Sequence, residues 1–222
     1  MIIATRNACL TADVNHFLFG DKHEYLSQAH VRVDVILDIK KYKTFRSPTE
    51  KEIDNHIFNK DTVGVYRQAV ELAHFINKVP EYFIIDNYSE LTNKRFEHKN
   101  GYVFSGMYTD INKEDFIPEK LTDYKLLNKN IIQDKYDEYF DFMRNGWPNT
   151  KFIFTHFPIE QDTREKYINQ WNVITNAIDN LSGKYNIQNI HADKDQIEFV
   201  GDGERYHFTK RTAKNMASKI KL

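Results

Sequence analysis

The stretch MIIATRNACLTADVNH, residues 1–16, starts with a short apolar run and turns polar at Asn7. Its first part, residues 2–5, predicts a buried strand, since a short apolar run with a polar carboxyl end is typical of a parallel sheet. The strand is followed by a turn at residues 7–9. Which other residues meet this turn depends on the rest of the predicted sheet.

Four further stretches complete the predicted sheet: residues 31–37, 82–86, 151–156 and, more weakly, 186–191. Helical spacing of apolar residues, or a capping residue at the start, marks four other segments: 63–76, 132–143, 167–181 and a last helix from Thr209 through Ile220. Strands that alternate with helices favour right-handed βαβ crossovers. The sequence therefore predicts an α/β fold, a three-layer sandwich with a mostly parallel sheet.

Residues 93–129 are less regular and rich in Tyr, Asp, Asn and Lys, with a weak strand signal at residues 102–104. A segment of this length predicts a long loop or an insertion, and such loops often carry binding residues. The chain has 222 residues, which favours a single domain over residues 1–222.

Composition excludes several classes of function. The formal net charge of −1 gives no overall electrostatic attraction to nucleic acid or an anionic membrane. The one cysteine, Cys9, cannot form an internal disulfide, and there is neither an apolar run of membrane-spanning length nor a signal-peptide pattern. We therefore expect a cytoplasmic protein with no membrane span. The sequence contains no GxGxxG or Walker motif, so it gives no indication of a nucleotide site. The spacing of the histidines does not match that of metal ligands.

A parallel sheet predicts where polar residues meet, because ligands bind beyond the carboxyl ends of its strands. The residues expected at this edge are Asn7, Ala8, Cys9, Asp86, Asn87, His156, Asp202 and His207. Acyl transfer at such an edge needs a nucleophile on a strand-to-helix turn, a histidine, an acid that orients it, and N–H donors for an oxyanion. The sequence supplies all of these except a serine at the turn.

Three segments resemble one family. NACLTAD, residues 7–13, is similar to the first block of SGNH/GDSL-type hydrolases, particularly of a branch linked to bacterial surface polysaccharides that reads Gly-Ser-Cys-x-Thr-Arg-Asp. FIIDNYSEL, residues 83–91, resembles the middle block, which ends in Asp-x-x-x-Glu, so Asp86 and Glu90 carry over. GDGERYHFTKRTAKNMASKI, residues 201–220, resembles the last block, in which a histidine precedes the closing helix.

The resemblance implies a flavodoxin-like sheet and a carbohydrate O-acyl esterase or O-acetyltransferase, active in surface-polysaccharide biosynthesis. The nucleophile would be a residue at position 8 or Cys9, and His207 would carry the proton. The orienting acid would be Asp202, Asp193 or Asp195. Asn7, Asn87 and main-chain N–H groups would stabilise the oxyanion, and Tyr206 could stack on a saccharide or glycan precursor. A transferase would take acetyl-CoA as acyl donor, and a hydrolase would need no cofactor.

Three departures qualify the resemblance. Ala8 stands where the family has serine, Asn7 replaces glycine, and Asp202 lies five residues before His207 instead of three. Ala8 has three explanations: an engineered replacement of serine, a register shifted by one residue with Cys9 as nucleophile, or a natural pseudo-enzyme.

Two hypotheses of other classes follow. One is a non-catalytic protein that binds or assembles glycans on the same fold. The other is a glycosidase that uses Asp86 and Glu90 as paired carboxylates about 5 to 10 Å apart across a cleft. Their spacing of four residues after one strand predicts that they lie along one face of a turn instead.

Overall fold

The computed structural model describes residues 1–28, 30–56, 77–107, 111, 126–159, 162–201 and 206–222. Its seven strands within these ranges are β1 Ile2–Arg6, β2 Glu24–Ser27, β3 Tyr82–Asp86, β4 Lys94–Glu97, β5 Val103–Gly106, β6 Lys151–Thr155 and β7 Ile187–Ile190. Five of them form one sheet in the order β2-β1-β3-β6-β7. Every pair of neighbours in that sheet is parallel. This is the flavodoxin-like order, in which the direction of strand addition reverses between β1 and β3.

Seven α-helices flank the strands in the described ranges: α1 Cys9–Phe19, α2 Val33–Ile36, α3 Glu50–His56, α4 Tyr88–Thr92, α5 Ile132–Gly146, α6 Glu165–Tyr185 and α7 Lys210–Ser218. Helices α1 and α7 pack against each other, while α5 packs against α2 and α6. The central strands are buried, with Phe83, Ile84 and Phe152 fully inaccessible to solvent. The predicted α/β class is therefore confirmed.

Three of the predicted helices lie where the periodicity places them. On α5, Tyr136, Tyr139, Phe140 and Met143 are buried on one side, as their spacing of three and four residues predicts. The last helix ends at Ser218, two residues before the predicted end. Thr209 stands at its N-cap, but its hydroxyl donates to Glu198 Oε2 at 2.6 Å instead of capping the helix. The predicted helix at residues 63–76 lies outside the described residues.

The strand predicted at residues 31–37 is wrong. Val33–Ile36 is helical and continues into a π-helical turn over Leu37–Lys41. A short apolar run fits a buried helix as well as a strand. The helix is favoured by carboxylates at its start: Glu90 Oε1 accepts the Val33 N–H at 2.9 Å, and Asp34 Oδ1 accepts the Val35 N–H.

The structure adds two features to the predicted strands: an edge strand that the sequence did not indicate, and a separate hairpin. One edge strand of the sheet is β2, whose sequence EYLS is too short and polar to be recognised from the sequence. Within residues 93–129, the weak signal at 102–104 belongs to an antiparallel hairpin of β4 and β5, separate from the main sheet. Among the described residues, no helix is long and apolar enough to cross a membrane.

Candidate functional site at the carboxyl ends of β1 and β3

Ala8 and Asp86 meet where the strand order reverses. Ala8 follows β1 and stands in an extended conformation (φ −102°, ψ −175°) immediately before α1. Its N–H donates to Asp86 Oδ2 at 2.6 Å, across the boundary between β1 and β3. Crevices at such a reversal are the usual ligand sites of open parallel sheets. The predicted strand-to-helix turn is therefore present. At position 8, where a serine nucleophile is expected, it carries only the methyl group of Ala8.

Asp86 is a buried carboxyl bound to the main chain. Its Oδ1 accepts the Tyr88 N–H at 3.1 Å, so each of its oxygens receives one peptide N–H. Burial raises the pKa of Asp86 to about 6, although the Ala8 N–H and the charge of Arg6 pull it down. At neutral pH the group is therefore mostly a carboxylate, directed at the N–H of position 8.

Cys9 is the first residue of α1 and is exposed. Partial desolvation raises the pKa of its thiol, and the negative charges of Asp13 and Asp86 raise it further. Only the thiolate is a good nucleophile. Cys9 is thus accessible at the edge of the sheet, but its surroundings disfavour the reactive form.

The two asparagines predicted as donors are both buried. Asn87 Oδ1 accepts the Phe157 N–H at 2.8 Å, which holds the loop after β6 next to β3. Asn87 Nδ2 has no hydrogen-bond partner among the described residues. Asn7 lines a neighbouring cavity. Asn87 Nδ2 is therefore a buried donor without a bond to the described part of the chain.

Tyr206 reaches this edge through aromatic contacts. Its ring lies 5.9 Å from that of Tyr88 and 6.2 Å from that of Phe157, measured between centroids. Its hydroxyl donates to Asp162 Oδ2 at 2.9 Å and accepts from Arg164. The next residue, His207, is exposed, and its carbonyl accepts the Val200 N–H.

The three candidate orienting acids are placed as follows. Asp202 lies outside the described residues. The Asp193 carboxylate accepts from Lys219 Nζ at 2.6 Å and Asn215 Nδ2 at 2.8 Å, and these bonds lower its pKa. Asp195 accepts from Gln196. These bonds hold the Asp193 carboxylate against Asn215 of α7 and against Lys219, the residue that follows α7.

His156 belongs to another cluster. Its Nε2 is bonded to Asn189 Oδ1 at 2.6 Å and its Nδ1 to Thr175 Oγ1 at 3.3 Å. Its ring stacks on His191, with centroids 3.9 Å apart and planes 6° from parallel. Burial, together with the neighbouring His191, lowers the pKa of His156 to about 3. The structure thus directs this imidazole toward β7 and α6.

A cation would find a poor site in that cluster. Ligand atoms of His156, Asp179 and His191 lie within 4.8 Å of one another. However, both nitrogens of His156 are hydrogen-bonded to protein, and two parallel stacked rings cannot aim their in-plane lone pairs at one ion. The arrangement does not fit the ligand geometry of a metal centre.

Sequence reasoning missed the ion pair beneath the site. Arg6 and Glu90 are fully buried and joined by two bonds, at 2.8 and 3.0 Å. Because both Glu90 oxygens are engaged and inaccessible, the paired-carboxylate glycosidase hypothesis is wrong for this residue. A signal did exist, since Arg6 is a charged residue at the end of an apolar strand, where burial requires a partner.

No family model matches the chain, and no curated protein matches it. Among solved structures, it is similar to an acetyl xylan esterase from Butyrivibrio proteoclasticus (12% identity, TM-score 0.44) and to a family two carbohydrate esterase from Clostridium thermocellum in complex with cellohexaose (12%, 0.47). Each match covers 98% of this chain and 61% of the solved one. The chain thus spans about three-fifths of the length of those proteins, and matches at this level do not assign it to a family.

Proposed function

We propose that this protein binds a saccharide at the carboxyl ends of β1, β3 and β6 and does not catalyse acyl transfer there. The observation that carries the proposal is the 2.6 Å bond from the Ala8 N–H to Asp86 Oδ2. A methyl side chain has no atom that can attack an ester. The carboxylate also occupies the N–H that an oxyanion would use, and its charge opposes an oxyanion.

Three features support a neutral saccharide as the ligand. The sequence resembles a branch of SGNH-type proteins linked to polysaccharides. The half-buried rings of Tyr88 and Tyr206 lie together at this edge against the buried Phe157, and aromatic faces suit the apolar faces of sugars. Asn87 Nδ2 is a buried donor that has no hydrogen-bond partner among the described residues, and a sugar hydroxyl would satisfy it.

A second candidate is an SGNH-type carbohydrate O-acyl esterase or O-acetyltransferase of surface-polysaccharide biosynthesis. The observation that favours it is the exposed Cys9 at the first residue of α1. Cys9, or a serine at position 8, would attack the ester, and His207 would take the proton. As a cytoplasmic transferase it would use acetyl-CoA as donor. The raised pKa of the Cys9 thiol weighs against this candidate.

Hydrolysis of p-nitrophenyl acetate separates the candidates. Four proteins are compared: this chain, Ala8→Ser, Cys9→Ala, and Ala8→Ser combined with His207→Ala. We expect no activity in any, because Asp86 still holds the N–H of residue 8. Activity that appears with Ala8→Ser and disappears with the added His207→Ala change would establish a disabled serine enzyme. Activity in the unchanged chain that is lost in Cys9→Ala would establish a thiol enzyme.

Binding is tested by calorimetry with cellohexaose and with an acetylated xylo-oligosaccharide. We expect at least one to bind, and Tyr206→Ala to weaken that binding about tenfold, the scale of one aromatic contact. Tyr42→Ala is the matched control, because Tyr42 is an exposed tyrosine bonded to Glu138 on α5. Absence of binding to both probes, or equal loss in the two variants, contradicts the proposal.

A further inference from the structure

A cavity with several polar side chains in its walls lies beside the site, between α1 and strands β1 and β2. Its volume is about 200 Å³, and its walls include Thr5, Asn7, Asn15, His16, Asp21 and Tyr25. A cavity of this size admits several water molecules or one small polar ligand. Because Asn7 precedes Ala8 directly, the cavity adjoins the edge already described.

One wall of the cavity carries a buried acceptor that lacks a donor. Asn15, on α1, is only 3% exposed, and its Oδ1 has no hydrogen-bond partner among the described residues. Buried polar atoms without partners are costly, and native proteins retain few of them. A ligand that donates a hydrogen bond to Asn15 would remove this cost.

The mouth of the cavity carries further groups for a polyhydroxylated ligand. Asp21 Oδ1 is bonded to His16 Nδ1 at 2.8 Å, and the two side chains are 86% and 55% exposed. Tyr25 donates its hydroxyl to the Gly20 carbonyl at 3.0 Å, which fixes the ring in the wall. An acidic acceptor at the rim, an amide inside and a fixed aromatic ring form a set typical of sugar recognition.

We propose that this cavity is a subsite for one neutral sugar ring, which donates hydroxyl protons to Asn15 Oδ1 and to Asp21. The inference rests on the proposed function, since it assigns the place where one unit of the bound saccharide lies. It extends the contact surface from the edge at Asp86, through Asn7, to the space between α1 and β2.

The test uses a small probe for the cavity and a long one for the edge. Methyl β-D-xylopyranoside and cellohexaose are titrated separately into the ¹⁵N-labelled protein, and the side-chain amide signals of Asn7 and Asn15 are followed by NMR. In the variant Asn15→Leu, leucine is close to asparagine in volume and removes the unpartnered oxygen, so we expect the variant to fold. Asp21→Asn probes the mouth, and Asn145→Leu, on the exposed side of α5, is the control.

We expect the monosaccharide to shift both amide signals, and Asn15→Leu to weaken its binding about tenfold, while Asn145→Leu has no effect. Asp21→Asn should weaken it less, because Asp21 is solvent-exposed. If cellohexaose binds but the monosaccharide does not shift these signals, the subsite is wrong and the proposed function stands. If the monosaccharide binds here while neither cellohexaose nor the acetylated xylo-oligosaccharide binds, the subsite stands and the proposed function fails. Unchanged binding of the monosaccharide in Asn15→Leu would also refute the subsite.

Discussion

At the scale of single residues, His156 shows how burial changes the chemistry of a side chain. A histidine at the end of a strand is a natural candidate for a catalytic base. Here desolvation and the stacked His191 lower its pKa to about 3, and Asn189 and Thr175 hold its two nitrogens. An imidazole with this pKa is neutral at physiological pH and a weak base. Its role is therefore in packing the β6–β7 side of the sheet.

This pKa predicts how stability depends on pH. Between about pH 6.5 and 3 the unfolded chain binds a proton at residue 156 that the folded chain does not, so the free energy of unfolding falls as pH is lowered. One such proton contributes a slope of about 1.4 kcal/mol per pH unit. Urea unfolding at several pH values should show a shallower slope for His156→Phe than for the unchanged chain. His207→Gln, at an exposed position, is the control, and identical slopes for the Phe variant and the chain would contradict the prediction.

At the scale of elements, the ends of helices depend on single residues. Helix α6, the longest among the described residues, ends at Tyr185, and the C-cap residue Asn186 adopts a left-handed conformation (φ 51°, ψ 57°). Glycine adopts this conformation most easily and asparagine tolerates it, whereas a β-branched residue is strained there. We expect Asn186→Gly to raise the free energy of unfolding by about 0.5–1 kcal/mol and Asn186→Val to lower it by about 1–2 kcal/mol, measured by urea unfolding. Equal stabilities of the two variants would rule out a role for this conformation.

At the scale of the whole molecule, the Arg6–Glu90 pair joins elements that are distant in sequence. Arg6, at the end of β1, donates to the carbonyls of Val31 and Asp86, at 3.0 and 2.7 Å. Glu90, on α4, accepts from Tyr136 of α5 at 2.8 Å and from the Val33 N–H at the start of α2. One buried pair therefore fixes the layer of helices relative to the strands that carry the candidate site.

Removing one charge of the Arg6–Glu90 pair should lower the free energy of unfolding much more than removing both charges. Glu90→Gln leaves the buried charge of Arg6 without its counter-ion, so we expect the free energy of unfolding to fall by about 3–5 kcal/mol. The double variant Arg6→Met with Glu90→Met removes both charges and should be more stable than Glu90→Gln. Guanidinium unfolding measures both changes. If the double variant is the less stable of the two, the prediction is contradicted, and the hydrogen bonds of the pair stabilise the fold beyond neutralising each other's charge.

The sequence by itself determined the α/β class, three strands of the central sheet, the weaker β7 and the helices α5, α6 and α7, because apolar periodicity is a local property. It also placed Asn7, Ala8, Asp86 and Asn87 at one edge, since parallel strands end on the same side. Only the tertiary structure decided that residues 33–36 are helical, that Asp86 binds the N–H of Ala8, that His156 turns toward His191, and that Arg6 pairs with Glu90. Each of these depends on partners 33 to 84 residues apart in the chain, and a local sequence pattern does not specify which distant residue a side chain meets.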